Sequence, residues 1–260
     1  MHNNTIKKIL FVSRPIAPPW DEASKNFAYN LAREVAKNNP DLEIHLMTRG
    51  VLPSLPKNII QHPIYTSSQN DFNLSQKLKM LRFLIWQAKN FNVAHLLFTP
   101  TKINSLILKF IFKFFARQTQ IIQTIATIRE DLFSDKEIKS MMFGDKIVTY
   151  SEYANKKLEK LGVRNVQKIY PGIDLEDYKP KDGDDDKANF VINFTGEYIR
   201  LGAMDDVIDA FIDVSNQIPE ARLSLAVRVK NKKDAQKKQQ VIAKLKKNNL
   251  LKKISFHDNG

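Results

Sequence analysis

Apolar positions along this chain switch repeatedly between two periods. Short runs of apolar and β-branched residues fall at 9–13, 43–48, 59–65, 93–98, 121–125, 146–150 and 166–170. Each is the length of one strand, and most are apolar on both faces, as in a buried parallel sheet. Between them lie segments with apolar residues three or four apart. Phe27, Leu31 and Val35 mark the first helix. Residues 74–91, 101–117, 131–142 and 151–161 read as further helices. The alternation resumes after 190, with strands at 190–194, 222–227 and 253–256 and helices at 205–217 and 232–248. Strand–helix alternation of this kind predicts an α/β chain with a doubly wound parallel sheet. Residues 181–189 (KDGDDDKAN) carry charge and no apolar anchor, so they read as a linker between two domains.

Residues 144–180 are the most informative stretch. Ser151 stands where a helix N-cap belongs, with Glu152 in the first turn against the positive end of the helix dipole. Lys156, Lys157 and Lys160 collect toward the other end, and Gly162 is placed to close the helix. Pro171-Gly172 then punctuates the following strand. Each piece alone fits ordinary α/β packing.

In sum and in order, the pieces resemble the family-4 type of glycosyltransferase (glycosyl transferases group 1). The matching residues are Ser151-Glu152, Leu158, Gly162-Val163, Pro171-Gly172-Ile173-Asp174 and Tyr178-Lys179-Pro180. The resemblance implies the GT-B fold, with a complete N-terminal Rossmann-like domain on the acceptor side over 1–180. A partial C-terminal Rossmann-like domain for the nucleotide-sugar donor follows over 190–260. It implies that Ser151, Glu152, Pro171, Gly172 and Asp174 border the interdomain cleft. It covers nearly all of this chain but only about the front two-thirds of the family's length. The Glu-rich donor motif of relatives is expected beyond Gly260, so the chain reads as truncated, and poor turnover by these 260 residues is expected.

Composition narrows the alternatives. The 260 residues include no Cys, which excludes a disulfide framework, thiolate catalysis and a Cys-based metal site. The N-terminus runs straight into the first strand without a signal peptide, and no apolar run is long enough to span a membrane. The expected location is cytoplasmic. The net charge of +13 asks for an anionic partner or a solvated basic face. Its densest part, 228–253, lacks interleaved aromatics, a Gly-rich RNA motif or a zinc module, so nucleic acid is the weaker reading.

The loop after the first strand is where such a sheet binds ligand. Here it reads SRPIAPPWDEASKN, without glycine, which excludes a G-x-G-x-x-G dinucleotide site there. It resembles a subset of relatives with Pro-Pro-Trp-Asp-Glu-Gly-Ser-Lys-Asn, with Ala23 in the glycine position. Trp20 can stack on a sugar or acceptor, Asp21 and Glu22 can accept hydroxyl hydrogen bonds, and Lys25 can meet an anion in the first helical turn. The alternative is a Pro-stiffened loop capped by Ser24. His95 matches the first His of a His-x-His pair in relatives, and Leu97 replaces the second. A lone His in an apolar strand reads as a core residue, and no catalytic base is assigned.

Relatives neutralise the leaving diphosphate with Gly-Arg-x-x-x-x-Lys-Gly, without need of a metal or other cofactor. Counting from Gly196, Glu197 replaces the Arg and Gly202 the Lys, leaving Arg200 as the nearby cation. Finally, 101–117 pairs an apolar stripe with Lys102, Lys109, Lys113 and Arg117. It reads as a helix packed on the sheet with snorkelling lysines, or as an interfacial helix at the anionic inner membrane face. Two functions follow. One is retaining transfer of a sugar from a nucleotide-sugar to a hydroxyl of a sugar or lipid-linked acceptor. The other is a degenerate homologue that binds acceptor or membrane without catalysis.

Overall fold

The computed structural model describes residues 6–18, 20, 23–65, 73–98, 100–172, 190–199, 203–229 and 231–257. Contacts divide the chain into two units, Met1–Ile173 and Asp174–Gly260. The expected linker at 181–189 lies outside the described residues.

The first unit alternates strands and helices: β1 (Lys8–Ile16), α1 (Ala23–Asn38), β2 (Glu43–Thr48), β3 (Ile59–His62), α2 (Leu74–Gln87), β4 (Val93–Leu97), α3 (Lys102–Phe115), β5 (Gln120–Ile125), α4 (Asp135–Met141), β6 (Lys146–Thr149), α5 (Glu152–Lys160) and β7 (Val166–Lys168). The strands form one parallel seven-stranded sheet in the order β3-β2-β1-β4-β5-β6-β7. The direction of winding reverses between β1 and β4, the switch point where open α/β sheets bind ligands outside their carboxyl ends. β1 runs three residues beyond the expected strand. Its register against β2 shifts between Phe11 and Ile16, and Ile16 then pairs with Thr48.

The sheet is buried on both faces near β1. Leu10, Val12, Ala94 and Leu96 meet Met80 and Leu84 of α2 and Leu108, Ile111 and Phe112 of α3. On the other face, Phe11, Ile44 and Leu46 meet Ala28, Ala32 and Ala36 of α1. These alanines, four residues apart and almost fully buried, form the face of α1 that lies on the sheet. The larger Phe27, Leu31 and Val35 flank it and stay half-buried.

Local signals set several ends. Asn73 and Gln76 form a reciprocal capping box that starts α2. Ser134 and Glu137 do the same for α4, so this helix spans Asp135–Met141 rather than the expected 131–142. The expected strands 59–65 and 166–170 stop at His62 and Lys168. Gln123, buried in β5, holds the connection from α4 to β6. Its amide donates to the Met141 carbonyl (3.0 Å), and its oxygen accepts from the Phe143 (3.1 Å) and Gly144 (3.3 Å) amides.

The second unit comprises β8 (Val191–Glu197), α6 (Ala203–Gln217), β9 (Arg222–Arg228), α7 (Lys232–Lys247) and β10 (Ile254–Phe256). Its strands are parallel in the order β10-β9-β8. Met204, Ile208 and Phe211 of α6 pack with Leu223, Leu225 and Val227 of β9 and with Val241 and Leu245 of α7. Most lysines of the 228–253 cluster lie on α7. Lys237 meets Asp205 and Lys244 meets Asp209, each at 2.5 Å, which ties α7 to α6.

Candidate active site

The carboxyl end of β1 is fixed from two sides. The buried Tyr65 hydroxyl donates to the Ser13 carbonyl at 3.1 Å. The Arg49 guanidinium, just after β2, donates to the Pro18 carbonyl at 2.7 Å. The following loop returns to α1 through the Asn26 side-chain amide, which donates to the Trp20 carbonyl at 3.0 Å. The Trp20 ring lies against Tyr29, with centroids 4.8 Å apart, and remains 42% exposed. Trp20 is thus an aromatic surface held in place by a second ring. Asp21 and Glu22 lie outside the described residues. Ser24 lies within the first turn of α1, which begins at Ala23.

Lys25 is the chemically distinctive residue here. It shares the sheet-facing side of α1 with Ala28, Ala32 and Ala36, and only 5% of it is exposed. A lysine is rarely buried to this degree. Its place in the first turn of α1, at the switch point, puts a cation where helix N-termini receive anions.

His95 lies one strand away in β4, aligned with Phe11 of β1 and Ile122 of β5. Its Nε2 is 2.7 Å from the Thr124 hydroxyl, and its ring packs on Phe11. Burial pushes its imidazole down to about 4, so it is neutral at pH 7. β6, the neighbour of β5, ends at Thr149, and the ring of the next residue, Tyr150, meets Phe27 of α1 edge-on. Burial raises the Tyr150 phenol.

Ser151 caps α5 by accepting the Ala154 amide at 3.1 Å. Gly162 closes that helix at φ +71°. Its amide donates to the Glu159 carbonyl and the Val163 amide to the Leu158 carbonyl, a Schellman arrangement. Glu152 pairs with Lys168 of β7 and with Lys156 at 3.4 Å. These lysines hold its carboxyl below the usual carboxylate range. Pro171 and Gly172 are exposed, and Asp174 lies outside the described residues. Nearby, Lys157 bridges Glu130 and Asp135, each at 2.7 Å.

In the second unit, Gly196 lies in β8, and its missing side chain leaves room for the Phe194 ring. Arg200 lies outside the described residues. Glu197 ends β8 directly opposite Arg228 at the end of β9, with a guanidinium nitrogen 3.9 Å from its carboxylate. Sequence reading passed over Arg228, because only the register of β8 against β9 brings it beside Glu197. Tyr29 and Arg49 escaped notice similarly, as contacts made by folding rather than by spacing. Among the described residues, no three His, Asp or Glu side chains converge as metal ligands.

No protein-family model and no curated protein matches the chain. Solved structures do. A structure from Anabaena, Alr3699/HepE in complex with UDP and glucose, superposes with a TM-score of 0.66 at 14% identity, over 96% of this chain and 68% of that one. A glycosyltransferase from Rickettsia africae gives 0.65 at 14% identity, over 98% and 69%. A UDP-forming trehalose-phosphate synthase from Burkholderia vietnamiensis gives 0.61 at 10% identity, over 100% and 75%. The chain has the GT-B fold of these glycosyltransferases, and it spans about 70% of their length.

Proposed function

We propose that this chain acts in glycosyl transfer, moving a sugar from a nucleotide-sugar donor to a hydroxyl of a sugar or lipid-linked acceptor with retention at the anomeric carbon. The observation that carries this reading is Lys25, buried at the switch point of a GT-B sheet beside the Trp20–Tyr29 aromatic surface. A cation in that place suits a phosphate-bearing ligand, and a supported tryptophan suits a sugar face. Asp21 and Glu22 complete the acceptor-side set as hydroxyl acceptors. Ser151, Glu152, Pro171, Gly172 and Asp174 border the ligand.

On the donor side, negative charge builds on the leaving diphosphate as the glycosidic bond breaks, and fixed cations lower that barrier. Arg228 joins Arg200 and Gly196 in this role, with no metal or other cofactor. His95 is neutral and hydrogen-bonded to Thr124, so it is assigned no base role. A second reading, binding without transfer, is favoured by Glu197 in the position where relatives carry Arg.

The test has two steps. Ligand-observed NMR with UDP, GDP and ADP, and with their sugar conjugates, should detect binding that Lys25→Met weakens at least about tenfold, the loss of one charge-assisted contact. Product NMR should then show the donor's anomeric configuration preserved. Binding without turnover would select the second reading, and no binding of any nucleotide would refute both.

A further inference from the structure

α3 poses a problem of solvation that transfer chemistry does not answer. Ser105, Leu108, Ile111 and Phe112 face the core. The opposite side, which should be polar, presents Ile103 (72% exposed), Leu106 (70%), Phe110 (54%) and Phe114 (50%). Phe110 and Phe114 lie 4.5 Å apart, so the exposed apolar surface is continuous there. A helix apolar on both sides is ordinarily buried on both.

Charge indicates what covers it. Residues 72–129 contain no Asp or Glu and nine Lys or Arg. This stretch includes α2 and α3, which pack side by side on one face of the sheet. By helical spacing, Lys102, Lys109 and Lys113 form a row along one flank of the exposed apolar strip. Lys102 also reaches Glu137, and Lys113 lies over the Phe114 ring. On α2, Trp86 is 68% exposed and, with Lys79 and Arg82, lines an open groove of about 570 Å³.

We propose that the outer side of α3, with the adjoining part of α2, docks on an anionic lipid bilayer. Leu106, Phe110 and Phe114 enter the acyl boundary, and Lys109 and Lys113 meet the headgroups. An apolar strip flanked by lysines matches that layered partner in both chemistry and order. A second copy of the chain fits worse: an antiparallel two-fold pairing over this strip would bring the lysine rows together, and a parallel one would set each row against the partner's uncharged flank. Nucleic acid fits worse too, since the centre of the surface is aliphatic and aromatic and its cations lie at the side. This inference does not depend on the transfer reading.

The full chain should co-sediment with vesicles containing equal parts phosphatidylcholine and phosphatidylglycerol, more weakly with phosphatidylcholine alone, and less as salt rises. Leu106→Gln with Phe110→Gln should lower partitioning at least about tenfold. Lys109→Gln with Lys113→Gln should lower it about fivefold per lysine on the anionic vesicles only. These side chains are largely exposed, so the melting temperature should hold. Should a variant fail to fold, the absence of native Cys permits single labels. A polarity-sensitive fluorophore on Leu106→Cys should shift to the blue on anionic vesicles, while one on Lys160→Cys should not. Failure of the wild-type chain to bind vesicles would overturn the proposal. So would unchanged binding by the Leu106/Phe110 variant, or loss of self-association in that variant while vesicle binding persists.

Discussion

His95 offers a prediction whose sign and size both follow from its surroundings. It lies in β4 against Phe11, with Nε2 2.7 Å from the Thr124 hydroxyl. Burial lowers its folded pKa to about 4 from the ordinary 6.5. Between those values the unfolded chain binds a proton that the folded chain refuses. The stability due to neutral burial is therefore complete above pH 6.5 and is lost as pH falls toward 4. One pH unit corresponds to about 1.36 kcal/mol, so going from pH 6.5 to pH 5 costs about 2 kcal/mol through this residue. For a unit of this size that is about 4–8 °C in Tm. Burial also lowers His45 and His62, which titrate in the same direction, so the wild-type profile alone does not isolate His95. The comparison with His95→Gln does, because Gln can still reach Thr124 but does not titrate. Melting curves from pH 7.5 to 5 should fall more steeply for wild type by about 2 kcal/mol. The His95 ring proton should titrate in NMR well below pH 6. Parallel melting profiles, or a ring titration at pH 6 or above, would refute the reasoning.

Two further substitutions test the frame around the site. Gln123→Leu leaves the Met141 carbonyl and the Phe143 and Gly144 amides without their partner. A loss of about 3 kcal/mol, or about 6–12 °C in Tm, is expected in thermal unfolding followed by circular dichroism; a drop under 2 °C would mean that other groups replace those bonds. Gly162→Ala forces a Cβ onto φ +71°, at an expected cost of about 1–2 kcal/mol, and urea unfolding should show a lower midpoint with an unchanged m-value.

Strand and helix succession was legible because each buried strand is a short apolar run and each helix repeats its apolar positions. The ends of α5 were legible too, since Ser151 and Gly162 act through backbone neighbours within a few residues. The start of α4 is just as local, but its Ser134–Glu137 box was masked by apolar residues upstream that suggested a longer helix. α1 misled differently. Its large residues drew attention, whereas small Ala28, Ala32 and Ala36 allow the close approach to the sheet. Lys25 continues that stripe, so a lysine at the helix start is a buried side chain. Contacts set by register across the fold had no signal in spacing. Thr124 beside His95 and Arg228 beside Glu197 belong to that group, since neither depends on nearby sequence.

The Glu197–Arg228 pair bears on how the donor side would work. A carboxylate alone at the end of β8 would repel a diphosphate. In the parallel register Arg228 stands directly across from it, so the two charges offset one another before any ligand arrives. Their separation of 3.9 Å, partly open to water, makes the attraction modest. On the proposed reading, Arg228 turns toward a phosphate, which a guanidinium binds in a bidentate fork. On the same reading, Glu197 accepts from a ribose or sugar hydroxyl, where a carboxylate is favourable. On the proposed reading, the cation that relatives place on the first strand of this unit has moved one strand over, and the acid left behind takes a hydroxyl-binding role.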